Sequence, residues 1–404
     1  MSAATSTAAD AERLSPAQAS KVKTLGLAAL VIGLVLMGAG YAGDSKRFAF
    51  SYLVGFMYVA TLGLGGLFFV LIQHLVRAGW SVAARRQMEW LAGFLPICVI
   101  LFIPVLVFSH DIYHHWMGPQ AAADPILIKK AKWLNPTFFY VRAFIYLGIW
   151  SALATFFRST SKKQDTTGDS GLTLRMEAVS APGMLLFGVS ISFAAFDWMM
   201  SLDPHWFSTI FGLYVFAGSV LSSFALLALM TMSLTANGLF NNVSTVEHQH
   251  DIGKFMLGFT VFWAYIAFSQ FFLIWYANLP EEITFFLNRW ENGWKPLSYL
   301  LLFGHFVIPF LWLLPRTMKR IRLTLSIGAV WLLVMHFVDL YWNIMPNFAH
   351  GGEKAVFHFS WVDIAGWLGP VGVLLFWLST RVTSENLYPL KDPRLEETYK
   401  VDNP

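Results

Sequence analysis

The sequence predicts an all-α integral membrane protein of about ten transmembrane helices, and three observations carry that prediction. Of its 404 residues, 56% are hydrophobic and only 13% charged, whereas a water-soluble domain is about half apolar and about a quarter charged. Aromatic residues make up 17% of the chain, with 37 Phe and 17 Trp. Apolar runs of the length needed to cross the hydrocarbon layer, about 20 residues, recur from end to end. Disordered, collagen-like and disulfide-rich secreted classes are excluded. The single cysteine, Cys98, leaves no internal disulfide, no Cys-paired zinc or iron–sulfur site and no C-x-x-C-H haem attachment.

Taken in order, the spans fall near 23–42, 49–76, 87–109, 136–157, 180–201, 205–235, 254–277, 296–315, 321–343 and 361–380. Long unalternating runs exclude a barrel, so each span closes its hydrogen bonds as a helix. Residues 1–21 are Ala-, Ser- and Thr-rich and read as a disordered cytoplasmic tail ahead of a 22–380 membrane domain. The first span is too long for a signal peptide and lacks a small-residue cleavage site. Arg158–Gly171 (RSTSKKQDTTGDSG) reads as a flexible cytoplasmic loop, and 381–404 as a cytoplasmic C-terminal tail. Asp203-Pro204 fits the N-cap and first turn of the sixth helix.

Positive charge orients the spans. Of 28 Lys and Arg residues, 19 lie in the termini and in the loops after even-numbered spans, 8 lie on the opposite side, and Arg142 lies inside the fourth span. Both termini are expected in the cytoplasm. The external loops HDIYHHWMGP, LDPHW, NLPEE, RWENGWKP and NFAHGGEKAVFHFSW are aromatic and rich in Gly and Pro. An interfacial aromatic belt accounts for most of their Trp and Tyr.

Two spans echo each other. The fifth ends FDWMMSLDP and the ninth VDLYWNIMP, so that Asp197 and Asp339 each precede a proline by seven positions. Two parallel four-helix bundles, spans 2–5 and 6–9 with spans 1 and 10 flanking, would generate this pattern.

Charges at membrane depth are costly and therefore informative. Arg142 and Asp197 each lie about 9 Å inside the outer ends of adjacent spans, at 1.5 Å per residue. An ion pair locking the two helices and a charge-compensated proton relay both fit. On the ninth span His336, Asp339 and Asn343 share a face by their i, i+3 and i+4 spacing. His305 lies mid-span in the eighth, with Ser298 and Tyr299 on its outer side. Together these groups fit a proton path or a polar staple between helices. Ser269 and Gln270 are polar enough to extend it. His110 and His114 have the i, i+4 spacing of metal ligands, but no third ligand of clear spacing accompanies them, and a solvated or interface cluster fits better. Among helix-core histidines only His74, His305 and His336 could face one another across a haem, and no helix carries the two that a two-haem cytochrome b requires.

The strings FAAFDWMMSLDPHWFSTIFGLYVFAGS (193–219) and DIGKFMLGFTVFWAYIAFSQFFLIWYANLPEE (251–282) resemble a family of ten-span membrane subunits of bacterial alternative complex III, a quinol:cytochrome c (electron-carrier) oxidoreductase of the respiratory chain. The resemblance is to the membrane subunit that stands beside the quinol-binding one. That family belongs to the wider polysulfide-reductase membrane-subunit type, whose two four-helix bundles agree with the echo. The resemblance implies a multi-pass bacterial inner-membrane subunit with no redox centre or bound cofactor of its own. It implies a paralogous membrane subunit carrying the quinol site, an iron–sulfur and molybdopterin-like periplasmic subunit, and multihaem and monohaem cytochrome c subunits holding haem c. Apart from lipid, no other partner class is expected, nucleic acid included. The expected role is structural and proton-conducting, with Asp197, Arg142, His305, His336, Asp339 and Asn343 as candidate path residues taken from their depth, and no metal ligand or catalytic residue among them. A quinone-binding redox subunit is an alternative, since a quinone ring needs only one or two hydrogen-bonding groups in an apolar cleft. A stand-alone transporter is another. Its helix breaks should recur at corresponding repeat positions, whereas Pro96 and Pro104 in the third span and Pro309 in the eighth do not correspond.

Overall fold

A computed structural model describes residues 14–240, 243–348 and 355–402. Ten helices among the described residues are long and apolar enough to cross a membrane: α1 Pro16–Gly43, α2 Ser45–Leu75, α3 Val82–Val107, α4 Pro136–Thr167, α5 Gly171–Leu202, α6 Phe211–Ala236, α7 Val246–Ala277, α8 Lys295–Leu313, α9 Arg322–Asn347 and α10 Trp361–Ser384. No strand occurs among the described residues. The protein is an all-α, multi-pass membrane protein. An even number of spans returns the chain to the face on which it starts, here the terminal face.

The helices form two rings of four. In the first, α2 packs on α3, α3 on α4, α4 on α5 and α5 back on α2; in the second, α6 to α9 close in the same order. Helices α2 and α6 join the rings, with 89% and 72% of their apolar windows buried against 17% for α1. These two therefore form the core of the molecule, and α1 is its most exposed span. Helix α10 bridges α1 and α2. Small residues make that bridge possible. A β-carbon on Gly33 would sit 2.6 Å from the Leu368 carbonyl, one on Gly372 2.5 Å from the Ala29 carbonyl, and one on Gly55 2.5 Å from the Gly366 carbonyl. Such backbone-to-backbone approach is how helices associate where lipid removes the hydrophobic incentive.

Four of the departures from the sequence expectation have a clear local reason. Helix α1 begins at Pro16, not at 23, because Ser15 and Gln18 form a capping box and Pro16 takes the first turn. Of the tail expected over 1–21, residues 1–13 lie outside the described residues. The 158–171 segment is not a loop. Helix α4 runs on to Thr167, ends at Gly168 in the left-handed region (φ 69°), and α5 restarts at Gly171. Its polar side chains are held by the C-terminal segment, so the helix continues beyond the apolar run. Helix α3 is interrupted, with α-helical pieces over Val82–Ala92, Leu95–Leu101 and Ile103–Val107, and Pro96 and Pro104 occupy the first turns of the second and third. Finally, Asp203 does not cap α6. It closes a short 3-10 turn over Met200–Leu202, and α6 starts only at Phe211. Pro204 offers its carbonyl to Lys130 Nζ at 2.6 Å.

Residues 385–402 form a strap over the terminal-face ends of α3, α4 and α5. Gln87 donates to the Leu387 carbonyl (2.9 Å), Arg85 pairs with Asp392 (2.5 Å), Asp165 accepts from the Leu390 amide (2.9 Å), and Arg394 reaches Glu177 (2.9 Å). Glu385 anchors its start, contacted by Arg158 and by Lys162 at 3.1 Å, and it accepts from the Trp90 indole at 3.0 Å. Burial raises the Glu385 carboxyl, but Arg158 and Lys162 outweigh it and hold it below its ordinary value. A depressed folded-state value contributes stability above the unfolded pKa, about 4.3, and that contribution is lost as pH falls through the folded value. The strap should therefore stay docked above about pH 5 and loosen below about pH 4. A fluorophore on Lys400→Cys reports this by anisotropy, since native Cys98 is buried. Constant anisotropy down to pH 3, with Glu385→Gln behaving like the parent, would show that Glu385 is not the anchor.

Candidate functional site

Buried carboxylates on α5, α9 and α10 are built alike. Each accepts a hydrogen bond from a tyrosine: Asp197 from Tyr146 (2.8 Å), Asp339 from Tyr214, and Asp363 from Tyr341 (2.9 Å). Asp197 and Asp339 also accept from an indole, Trp133 at 3.0 Å and Trp263 at 3.3 Å. In both, the residue four positions on donates to the aspartate's own backbone carbonyl, Ser201 at 2.5 Å and Asn343 at 2.8 Å. The echo seen between the fifth and ninth spans is thus one of hydrogen bonding as well as of spacing.

They differ in charge balance. Arg142 grips Asp197 with two bonds, Nε to Oδ2 at 2.7 Å and Nη2 to Oδ1 at 2.9 Å. Its guanidinium lies 4.1 Å over the Trp133 ring and 4.2 Å over Phe138. Arg47 holds Asp363 the same way, at 2.9 and 2.7 Å, with Ser51 adding a donor at 2.7 Å. These two sites are ion pairs with their lone pairs satisfied, the arrangement that lets a charge persist in low dielectric. Asp339 is only 3% exposed, and among the described residues no cation lies within ion-pairing distance of it. Its partners are the neutral donors Tyr214, Trp263 and Asn343, the last reaching Oδ1 at 3.2 Å.

His336 sits one turn before Asp339, also on α9. Its Nε2 is 2.8 Å from Thr61 Oγ1 on α2. With the Thr61 hydroxyl proton on a backbone carbonyl, Met57 at 2.7 Å or Tyr58 at 3.0 Å, Thr61 accepts from His336 Nε2–H and the lone pair falls on Nδ1. Nδ1 is buried and without a hydrogen-bond partner. Gly218 on α6 faces both groups. A β-carbon there would lie 3.5 Å from His336 Nδ1 and 3.7 Å from Asp339 Oδ2.

His305 joins this group by packing alone. The Trp263 ring that donates to Asp339 also stacks on His305, with centroids 4.0 Å apart, and both imidazole nitrogens lack a hydrogen-bond partner. Helix α8 widens to a π-helix over Leu301–Val307 around it. Pro309 has no amide hydrogen to offer the carbonyl four residues back, which is that of His305, and single π turns of this kind recur at functional sites.

Of the residues expected to line a path, the structure brings Asp339, His336 and Asn343 into one cluster with His305 beside it. It places Arg142 and Asp197 together in the other bundle. Ser298 turns away, donating to the Arg289 carbonyl at 2.7 Å, and Tyr299 packs on Trp290. Gln270 does not join the cluster; it accepts from Ser208 at 3.1 Å. Tyr214, Trp263 and Thr61 were missed because nothing in a run of apolar sequence distinguishes a hydroxyl or indole that turns inward. Asp363 and Arg47 were missed because both stand at span ends, where charge is ordinary.

Near the opposite face, Arg289 is buried and donates to the Phe285, Trp342 and Asn343 carbonyls at 2.9, 3.1 and 2.8 Å. Burial pushes it down to about 9. It caps the end of α9 and so fixes Asn343 relative to Asp339. On the outer loops His114 and His115 stack 4.1 Å apart, and His205 bonds Asp124 at 2.6 Å. Burial, then the neighbouring His114, pushes His115 down to about 4. No group of three metal-ligating side chains forms among the described residues.

Compared with known proteins, the chain matches no family model and no curated relative.

Proposed function

We propose that the chain is a non-redox membrane subunit of a bacterial respiratory quinol:electron-carrier oxidoreductase of the alternative complex III type, contributing a proton path through the α6–α9 bundle. The observation that carries the path is Asp339: a buried carboxyl held only by neutral donors, beside the bare Nδ1 of His336. An unpaired charge is expensive at that depth, so the group is suited to gain and lose a proton, whereas Asp197 and Asp363 are each matched by an arginine. A proton on Asp339 Oδ2 faces His336 Nδ1 across Gly218, and the imidazole can pass on the Nε2 proton toward Thr61. The subunit assignment rests on the two strings at 193–219 and 251–282 and is supported by the pair of four-helix rings. In this reading the terminal face is cytoplasmic, and the partners are a paralogous quinol-binding membrane subunit, an iron–sulfur periplasmic subunit and cytochromes c.

The test is affinity purification from native membranes in mild detergent, with a redox difference spectrum and mass identification of co-purifying chains. Cytochromes c and an iron–sulfur subunit are expected. A colourless lone chain would sink the assignment, and a lone chain with a b-type spectrum would make His305 and His336 haem ligands instead.

A further inference from the structure

A second unbalanced carboxyl lies at the other end of the molecule. Glu89 is on α3, seven residues from its start at Val82, about 10 Å from the terminal face at 1.5 Å per residue. It is 1% exposed, and neither carboxyl oxygen makes a well-formed hydrogen bond, the Ser161 hydroxyl being the one neutral donor that approaches it. The groups that face it are Arg86 and Arg85 from its own helix and Ser161 and Asp165 from α4. Arg86, fully buried, is shared: it lies 3.2 Å from Glu89 and 2.6 Å from Asp165. Arg85 is already committed to Asp392 of the strap at 2.5 Å. Two cations therefore serve three carboxyl groups, Glu89 and Asp392 buried and Asp165 partly so.

The contest for Arg86 has a winner. Asp165 takes the shorter contact and also accepts from the Leu390 amide at 2.9 Å and the Asn386 side chain at 3.2 Å. A guanidinium, a backbone amide and a side-chain amide thus converge on Asp165. Glu89 is left with the longer, poorly aligned side of the guanidinium. A buried group in excess of its counter-ions is neutralised rather than carried as a bare charge.

We propose that Glu89 is a proton-binding site at the terminal-face end of the α2–α5 bundle, occupied at neutral pH and closed over by the C-terminal strap. The step is a simple protonation, a proton from the terminal-face water adding to one Glu89 oxygen with no other bond made or broken. The molecule then holds an exchangeable carboxyl near each face, Glu89 in one bundle and Asp339 in the other. This goes beyond the function proposed above and does not depend on it, since neither partner subunits nor quinol enter.

Infrared spectroscopy of the full chain in detergent tests it at pH 7. The parent minus Glu89→Gln difference should contain one protonated-carboxyl C=O band, and the variant should melt like the parent because glutamine copies the neutral acid. Asp165→Asn supplies the opposite control. It frees Arg86 for Glu89, so the Glu89 band should vanish although Glu89 is still present. Absence of the band in the parent would overturn the proposal and leave a static ion network. A band that survives Asp165→Asn would equally overturn it, because the shared guanidinium would not be the cause.

Discussion

Asp339→Asn should assemble and melt like the parent yet lose proton transfer coupled to turnover by about a hundredfold, the scale of a removed acid–base group. Asparagine keeps one acceptor oxygen, enough for Tyr214 and Asn343, which both donate to Oδ1, and gives up only the longest of the three bonds, that from the Trp263 indole at 3.3 Å; it removes no charge partner, since none of those three is a cation. Only the exchangeable proton is gone. The measurement is acidification by reconstituted vesicles set against electron transfer by the same preparation. Full coupling in the variant would make Asp339 a polar staple. Lost assembly would show that its hydrogen bonds are structural first. Tyr214→Phe separates these outcomes further, because it leaves the carboxyl in place and withdraws one donor.

Arg142→Met should have the largest effect on stability, about 3–5 kcal/mol, the cost of leaving one partner of a buried ion pair alone. Asp197 is 1% exposed and would retain only Tyr146 and Trp133 as side-chain donors. The stacked contacts to Trp133 and Phe138 would be lost as well. Thermal melting of the solubilised chain measures this. Combining Arg142→Met with Asp197→Asn should recover most of the loss, since no net charge is then stranded. A single variant as stable as the parent would mean that Asp197 is not charged in the folded protein, and its part in a proton path would then need to be reconsidered. The two aspartates therefore predict opposite phenotypes despite their matching positions before Pro204 and Pro346.

The number, order and approximate places of the spans are legible in the sequence because lipid tolerates little else than long apolar helices. The ends are less so. Helix α4 runs ten residues past the end expected for it, because residues far away in sequence, Glu385 and Arg86, hold its polar extension. Composition near residue 160 carries no trace of them. The candidate site divides the same way. Asp197, Arg142, His336 and Asp339 stand out as rare charges or titratable groups at depth, whereas the difference between the two aspartates does not. It depends on which neutral donors from α6 and α7 turn inward and on the lack of a second arginine, and pairing across helices is not written in local spacing. The His305 π-helix has a visible cause in Pro309, yet a proline alone does not say whether a helix kinks, breaks or widens.

The glycine-lined seat of α1 on α10 has a consequence for how the protein is made. Helix α10 leaves the ribosome more than 300 residues after α1, which at ordinary synthesis rates is roughly a quarter to a full minute. Through that interval Gly26 and Gly33 have no surface to meet, since the atoms they approach belong to α10. Helix α1 therefore enters the bilayer well before its seat exists, and its packing is completed only when α10 arrives.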